Sequence, residues 1–159
     1  MTLRDKLAAK TRRRLVVPIQ VTDPTEDQQA WMGVMAAIEV ERRKGDDADA
    51  EMLANLNEQA DAAAERAKDH FAEIELQSLP QRDWEAACAE WADDDGQVDW
   101  AKALAPLLEA SCVDEDLQDA EYWRDTMSRE DWTEGDTDSL RAALLKLNVY
   151  AVDARVPKG

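Results

Sequence analysis

The side chains of this chain that could do chemistry are one histidine, His70, two cysteines, Cys88 and Cys112, and several runs of acids. A lone imidazole cannot supply a histidine-based metal site, and it has no obvious partners for a catalytic triad. Its place at a helix-to-strand junction fits a structural or solvent-exposed role. Cys88 lies on an apolar helical stripe between Trp84 and Trp91, so packing accounts for it better than nucleophilic work does. Cys112 follows Ser111 at a helix end, with no histidine close in sequence. The two thiols form neither a metal-type pair nor a disulfide framework, which points to reduced, buried cysteines in a cytosolic protein. The run Asp93-Asp94-Asp95-Gly96 invites a calcium reading. With Gly96 at the sixth loop position, however, the first ligand position falls on Trp91, so a solvated turn is the better account. Asp114-Glu115-Asp116 reads as a helix start that sets acids against the positive dipole end. Glycine occurs five times and never in a phosphate-cradling pattern. The acid pairs are too many to single out a glycosidase dyad. The expectation is therefore a protein that is not an enzyme, with no cofactor and no metal.

Composition sets the frame for these residues. The chain has 159 residues, with 36 acidic and 19 basic side chains and a formal net charge of −17. Such charge favours disorder, but 45% apolar residues and six tryptophans argue for a packed core. No apolar run approaches the ~20 residues of a membrane helix, and Pro18 interrupts the apolar start at Leu15–Val17, so neither a membrane span nor a signal peptide is expected. The charge is uneven. Arg4, Lys6, Lys10, Arg12, Arg13 and Arg14 face only Asp5 within residues 1–14, a local net of +5 on a remainder of −22. This basic arm either docks on acidic surface, within or between molecules, or is a solvated, frayed end.

The elements that would position these residues follow from periodicity. Residues 15–21 read as a strand that Pro18 confines to an edge. Asp23 and Pro24 read as cap and first residue of a helix running to about Arg43, with Trp31, Met35, Ile38 and Arg42 on one face. A second helix over about 48–69 carries the stripe Met52, Leu56, Gln59, Ala63 and Ala67, and the short link makes the pair an αα-hairpin. Residues 71–78 alternate as a strand and would pair with 15–21. Beyond Pro80 the pattern is helical: about 81–92 with Trp84, Cys88 and Trp91; about 99–112 with Asp99 as cap, Trp100, Leu104, Leu107 and Leu108 inward, and Pro106 kinking the helix or displacing its start. Then come 116–127 with Leu117, Ala120, Trp123 and Met127, a cap and short helical turn at Ser128–Asp131, and 137–150 capped by Thr137. The tryptophans on these faces read as core. Trp132 reads either as filler of the last helical corner or as an exposed anchor for a partner. The expected fold is mainly α (α+β): a helical bundle with a small two-stranded β element formed by about 15–21 and 71–78. Its parts would be a basic arm (1–14), a β-αα-β half (15–79), a helical half (80–150) and a flexible tail (151–159).

The order of features over residues 71–148 resembles a known family. Phe71, Ile74-Glu75-Leu76 and Leu79-Pro80 lead to Trp84. Val98-Asp99-Trp100 precedes Leu104-Ala105-Pro106-Leu107-Leu108-Glu109-Ala110-Ser111-Cys112. Asp119 and Trp123 then precede Asp131-Trp132-Thr133-Glu134-Gly135-Asp136, Leu140–Leu144 and Leu147-Asn148. This sequence of motifs is similar to that of the tail assembly chaperones of long-tailed phages that infect actinobacteria. Leu3–Lys6 and Arg12–Val17 ahead of a helical hairpin resemble the same group's leader region.

The resemblance implies a protein that binds the long, helical tape measure protein, keeps its apolar surface from aggregating and leaves as tail tube subunits arrive. It implies a homo-oligomer in the cytoplasm of the infected bacterium, contact with the tape measure protein and possible contact with the tube protein, no nucleic acid or membrane partner, and absence from the mature virion. It also implies a longer, frameshifted form of the chain; Val156, Pro157 and Lys158 could be encoded through a slippery C-CCA-AAG heptamer. The candidate partner-binding residues are Arg12, Arg13, Arg14 and Trp132. Two other functions fit the acidity: a DNA mimic that inhibits a DNA-binding enzyme, against which the well-mixed Lys and Arg argue, and a structural tail component.

Overall fold

The structure is a computed structural model that describes residues 1–151. The tail read over 151–159 lies outside the described residues except for Ala151, and Val156, Pro157 and Lys158 lie wholly outside them. The described residues form seven helices and one two-stranded antiparallel sheet, a mainly α fold with a small β element as the periodicity predicts. In order these are α1 (Leu3–Ala8), β1 (Arg14–Gln20), α2 (Thr25–Arg42), α3 (Ala50–Lys68), β2 (Phe71–Gln77), α4 (Gln81–Glu90), α5 (Trp100–Ser111), α6 (Ala120–Met127) and α7 (Glu134–Asn148), with short 3₁₀ turns at Gly45–Asp47 and Glu115–Leu117. The chain divides into two compact units, residues 18–73 and residues 1–17 with 74 onward. The divisions fall inside the two strands rather than at 14/15 and 79/80, so the basic arm belongs with the C-terminal helices.

Unit 18–73 is the αα-hairpin with the ends of the two strands. Val21 and Thr22 donate their amides to the His70 carbonyl and close the ladder there. The buried positions of the hairpin are Ile38 and Glu41 on α2 and Ala60 and Ala63 on α3. These differ from the expected stripes. Arg42, Met52 and Gln59 are exposed, while Leu53, Ala60 and Glu41 turn inward. The cause is the hairpin link. Glu41 accepts the Asp49 amide at 2.8 Å and Lys44 Nζ at 2.7 Å, which fixes Glu41 inward and rotates Arg42 out. The Asp49 amide bond, and then the Lys44 contact, hold the Glu41 carboxyl below its usual range. At the start of α2, Pro24 takes the cap position and Asp23 stands one residue before it. Its carboxylate still accepts the Thr25 amide at 3.0 Å, so the chemistry of the expected cap survives at a shifted position.

The other unit packs around α5. Ala103, Leu104, Ala105, Leu107, Leu108 and Ser111 are buried against Trp123 of α6 and Leu140, Ala143, Leu144 and Leu147 of α7. Burying six or more large aliphatic side chains at roughly 1.5–3 kcal/mol each supplies most of the driving force. The chain leaving α5 pairs briefly with β2: Cys112 bridges Leu76, and the Val113 amide donates to the Glu75 carbonyl at 3.0 Å. Pro106 neither breaks α5 nor displaces its start. The carbonyl it leaves without an intrahelical donor is that of Lys102, an exposed position where water can take the donor's place.

Three expectations in this unit change. The helix expected over 116–127 is a 3₁₀ turn and then α6, because Asp119 accepts the Glu121 and Tyr122 amides and restarts the helix. Ser128 ends α6 instead of capping a further helical turn. The last helix is capped by Thr133, not Thr137: Thr133 Oγ1 accepts the Asp136 amide at 3.2 Å and Asp136 Oδ2 accepts the Thr133 amide at 2.9 Å, a complete capping box. Of the six tryptophans only Trp123 is fully buried; Trp31 is exposed and the others are half-buried. An indole is large enough to cover the edge of a core while one rim stays in water.

Candidate functional site

Arg12, Arg13 and Arg14 enter β1, where successive side chains take opposite faces. Arg13 reaches the end of α7. Its Nη2 donates to the Lys146 carbonyl at 2.6 Å and its Nη1 to the Tyr150 carbonyl at 2.8 Å. A guanidinium there satisfies carbonyls that have no helical donor and complements the negative end of the helix dipole. The backbone of Arg13 is fixed as well: its amide donates to Ser78 Oγ at 3.1 Å and its carbonyl accepts the Ser78 amide at 2.8 Å. Arg12 donates through Nε to the Ser78 carbonyl at 2.8 Å, and Arg14 pairs with Glu75 at 3.4 Å across the ladder. Of the two readings of the basic run, residues 12–14 take the docked one, onto their own unit.

An open groove of about 720 Å³ lies beside this clamp. Lys10, Arg12 and Arg13 line it with one acid, Glu85, and Leu79, Pro80, Trp84, Leu147 and Val149 supply its apolar surface. Asn148 braces it, accepting the Leu79 amide and donating to the Leu144 carbonyl, both at 2.8 Å. A second cleft of about 450 Å³ shares Arg12, Leu79 and Pro80 and continues past Ala87 and Trp91 to Pro106 and Leu107. The two clefts flank α4. Trp132 lies apart from both, in the α6–α7 turn. It is half-buried, its indole N–H donates to Thr137 Oγ1 at 3.0 Å, and its ring meets Trp123 edge-on at 6.5 Å. The corner-filling reading describes its surroundings.

The hairpin unit holds two arrangements that residue spacing did not reveal. His70 lies between Asp27 Oδ2, 2.8 Å from Nε2, and Thr22 Oγ1, 2.7 Å from Nδ1; Arg66 Nε donates to the other Asp27 oxygen at 3.1 Å. The hydrogen bond from His70, and then that from Arg66, hold the Asp27 carboxyl below its usual range. The order hydroxyl, imidazole, carboxylate is that of an acyl-transfer relay. Here it ties the first turn of α2 to the end of α3. The second arrangement is an exposed apolar cleft of about 370 Å³ formed by Gln28, Trp31 and Met32 of α2 with Ala64 and Ala67 of α3. Met35 extends it by one turn. Trp31 and Met35 therefore stand at the edge of the buried face rather than within it.

The remaining chemical candidates are held by local bonds. Asp93 Oδ1 accepts the Asp95 and Gln97 amides, each at 2.9 Å, and Gly96 turns the loop with a φ of +77°. Asp114 accepts the Asp116 amide at 3.0 Å. No cluster of three or more His, Cys, Asp or Glu side chains is gathered for a metal among the described residues. Cys112 is fully buried, and burial pushes its thiol up to about 11; the half-buried Cys88 is also raised by burial. Both cysteines are unbridged. No helix among the described residues is long and apolar enough to cross a membrane. No family model, curated protein or solved structure matches the chain.

Proposed function

We propose that this chain is a phage tail assembly chaperone that binds amphipathic helices of the tape measure protein and keeps them soluble until the tail tube forms. The observation that carries the reading is the open, mainly apolar groove beside Trp84 and Leu147, with Lys10 and Arg12 on its rim, in a chain of net charge −17. An apolar groove accepts one face of a partner helix, and the rim cations suit acids on that helix. The negative charge makes coated chains repel one another and stay soluble. The order of motifs over residues 71–148 supports the same reading. On this reading the protein acts in the cytoplasm of the infected cell, makes no catalytic contribution, accompanies a frameshifted longer form and is absent from the finished particle.

The test is co-expression of the tagged chain with the long, helix-rich protein encoded downstream of it. Co-purification in multiple copies with rescue of the partner's solubility supports the reading, and Trp84→Ala should weaken the complex. A chain that leaves the partner insoluble sinks it. Binding to a DNA-processing enzyme that DNA competes away would put the mimic reading in its place, and recovery of the chain from purified virions would favour a structural tail component.

A further inference from the structure

The first helix is complete at its start and, among the described residues, exposed along its length. Thr2 and Asp5 form a full capping box, with the Thr2 amide 2.8 Å from Asp5 Oδ2. Yet α1 buries no residue: Leu3 is 73% and Leu7 65% exposed, on one face at i, i+4. A six-residue helix is far below the length that is stable alone in water. Among the described residues Arg4, Lys6 and Lys10 belong to no ion pair. The hairpin unit presents the complement. Trp31 is 40% and Met32 64% exposed over the apolar cleft, and residues 18–73 hold 14 acids against 5 bases. Asp61 lies one turn before Ala64 along α3 and belongs to no ion pair among the described residues, while Glu39, one turn beyond Met35 along α2, is paired with Arg43 at 3.2 Å.

We propose that α1 of one copy of this chain docks in the α2–α3 cleft of a second copy, Leu3 and Leu7 against Trp31, Met32 and Met35, with Arg4 and Lys6 toward the hairpin's acids. The Arg12–Arg14 clamp anchors the base of the arm, and Ala9–Thr11 give it about 10 Å of reach. The contact joins two different surfaces, so it propagates head to tail into a ring or a filament. A helix this short covers much less than the ~1,000 Å² of a stable dimer, so each link is weak and reversible. The inference goes beyond the chaperone reading and stands without it.

The test uses the full chain alone. Sedimentation equilibrium should show concentration-dependent self-association. Leu3→Ser with Leu7→Ser in one variant, and Met32→Ser in another, should each weaken it about tenfold or more, with 0.5 M salt acting in the same direction as an order-of-magnitude screening effect. A peptide of residues 1–11 should compete. Mixing a Leu7→Cys chain with an Ala64→Cys chain, both in a Cys88→Ala background, should give a disulfide-linked pair under mild oxidation. A wild-type chain that stays monomeric to about 1 mM would overturn the proposal. So would association that both serine variants leave unchanged, or a Leu7→Cys, Ala64→Cys double variant that cross-links only within single chains. The two arm serines and Met32→Ser change exposed side chains, so a native circular dichroism spectrum separates lost association from lost folding.

Discussion

Arg13→Ala should destabilise the C-terminal unit much more than Arg14→Ala, although the two residues are adjacent and carry the same charge. Arg13 donates two charge-assisted bonds, to the Lys146 and Tyr150 carbonyls at 2.6 and 2.8 Å, and removal leaves the Lys146 carbonyl of α7's last turn and the Tyr150 carbonyl just beyond the helix without that donor. Hydrogen bonds to charged groups contribute about 1.5–3 kcal/mol each when buried. Arg13 is only half-buried, and water can replace part of the loss, so about 2 kcal/mol for the pair is the working figure. For a chain of this size that corresponds to a fall in Tm of roughly 4–8 °C. Arg14 makes one pair at 3.4 Å with both side chains about half exposed, which contributes roughly 0–1 kcal/mol. Arg13→Lys keeps the charge but cannot span two carbonyls with a planar fork, so it should fall between wild type and Arg13→Ala. Thermal melts followed by circular dichroism, with and without added salt, measure the difference, and salt should erase the Arg14 effect before the Arg13 effect. Equal melting temperatures for Arg13→Ala and Arg14→Ala would refute the clamp.

Other expectations follow from single groups. Ser111 Oγ is buried with no hydrogen-bond partner among the described residues; Ser111→Ala should raise stability by about 1 kcal/mol in urea unfolding, and a loss of that size would mean the hydroxyl has a partner. The Glu41 carboxyl is held below its usual value of 4.5, so its contribution is present above that pH and is lost as pH falls through the lowered value. Glu41→Gln should lower Tm near neutrality and flatten its decline below about pH 4.5, and an acid limb as steep as wild type would contradict the assignment. Cys112 is fully buried with its thiol up at about 11, so alkylation of native protein should mark Cys88 first and reach Cys112 only on unfolding, as peptide mapping would show.

What could be read from the sequence depended on how far apart the deciding groups stand. Both strands and every long helix were legible, because periodicity and turn residues act over a few positions. Helix ends were less so. Thr133 and Thr137 both precede plausible first turns, and Asp136 decides between them by completing the box with Thr133. Gly135 disguised that first turn as a loop. The inward face of α2 differs from the one that Trp31, Met35 and Arg42 suggest, because of the link that follows: a buried carboxylate, Glu41, sets the rotation of the helix as it holds Asp49 and Lys44. Arg12 and Arg13 stood out through local charge density. Their partners, at Ser78, Lys146 and Tyr150, lie 65 to 137 residues away and leave no trace in spacing. The same holds for His70 with Asp27, 43 residues apart.

The clamp and the free helix give the basic arm two parts with opposite chemistry. Residues 12–14 give their charge to backbone carbonyls and to Glu75 of their own chain. Arg4 and Lys6, which belong to no ion pair among the described residues, stand with an apolar stripe on a helix whose start is already satisfied by Thr2 and Asp5. A stretch meant only for solubility has no use for Leu3 and Leu7 at helical spacing, and one meant only for local docking has no use for surplus cations. Acids and apolar side chains together answer both features; the cleft at Trp31 and Met32 is the apolar part, on a unit whose acids outnumber its bases 14 to 5. The groove beside Trp84 offers apolar surface with three cations, Lys10, Arg12 and Arg13, against the one acid Glu85, a balance suited to a partner helix that carries acids. The two openings thus differ in the sign of charge they favour. A single occupant with a uniform polar face cannot suit both, so binding at the Trp84 groove and self-association through Trp31 should respond to separate substitutions.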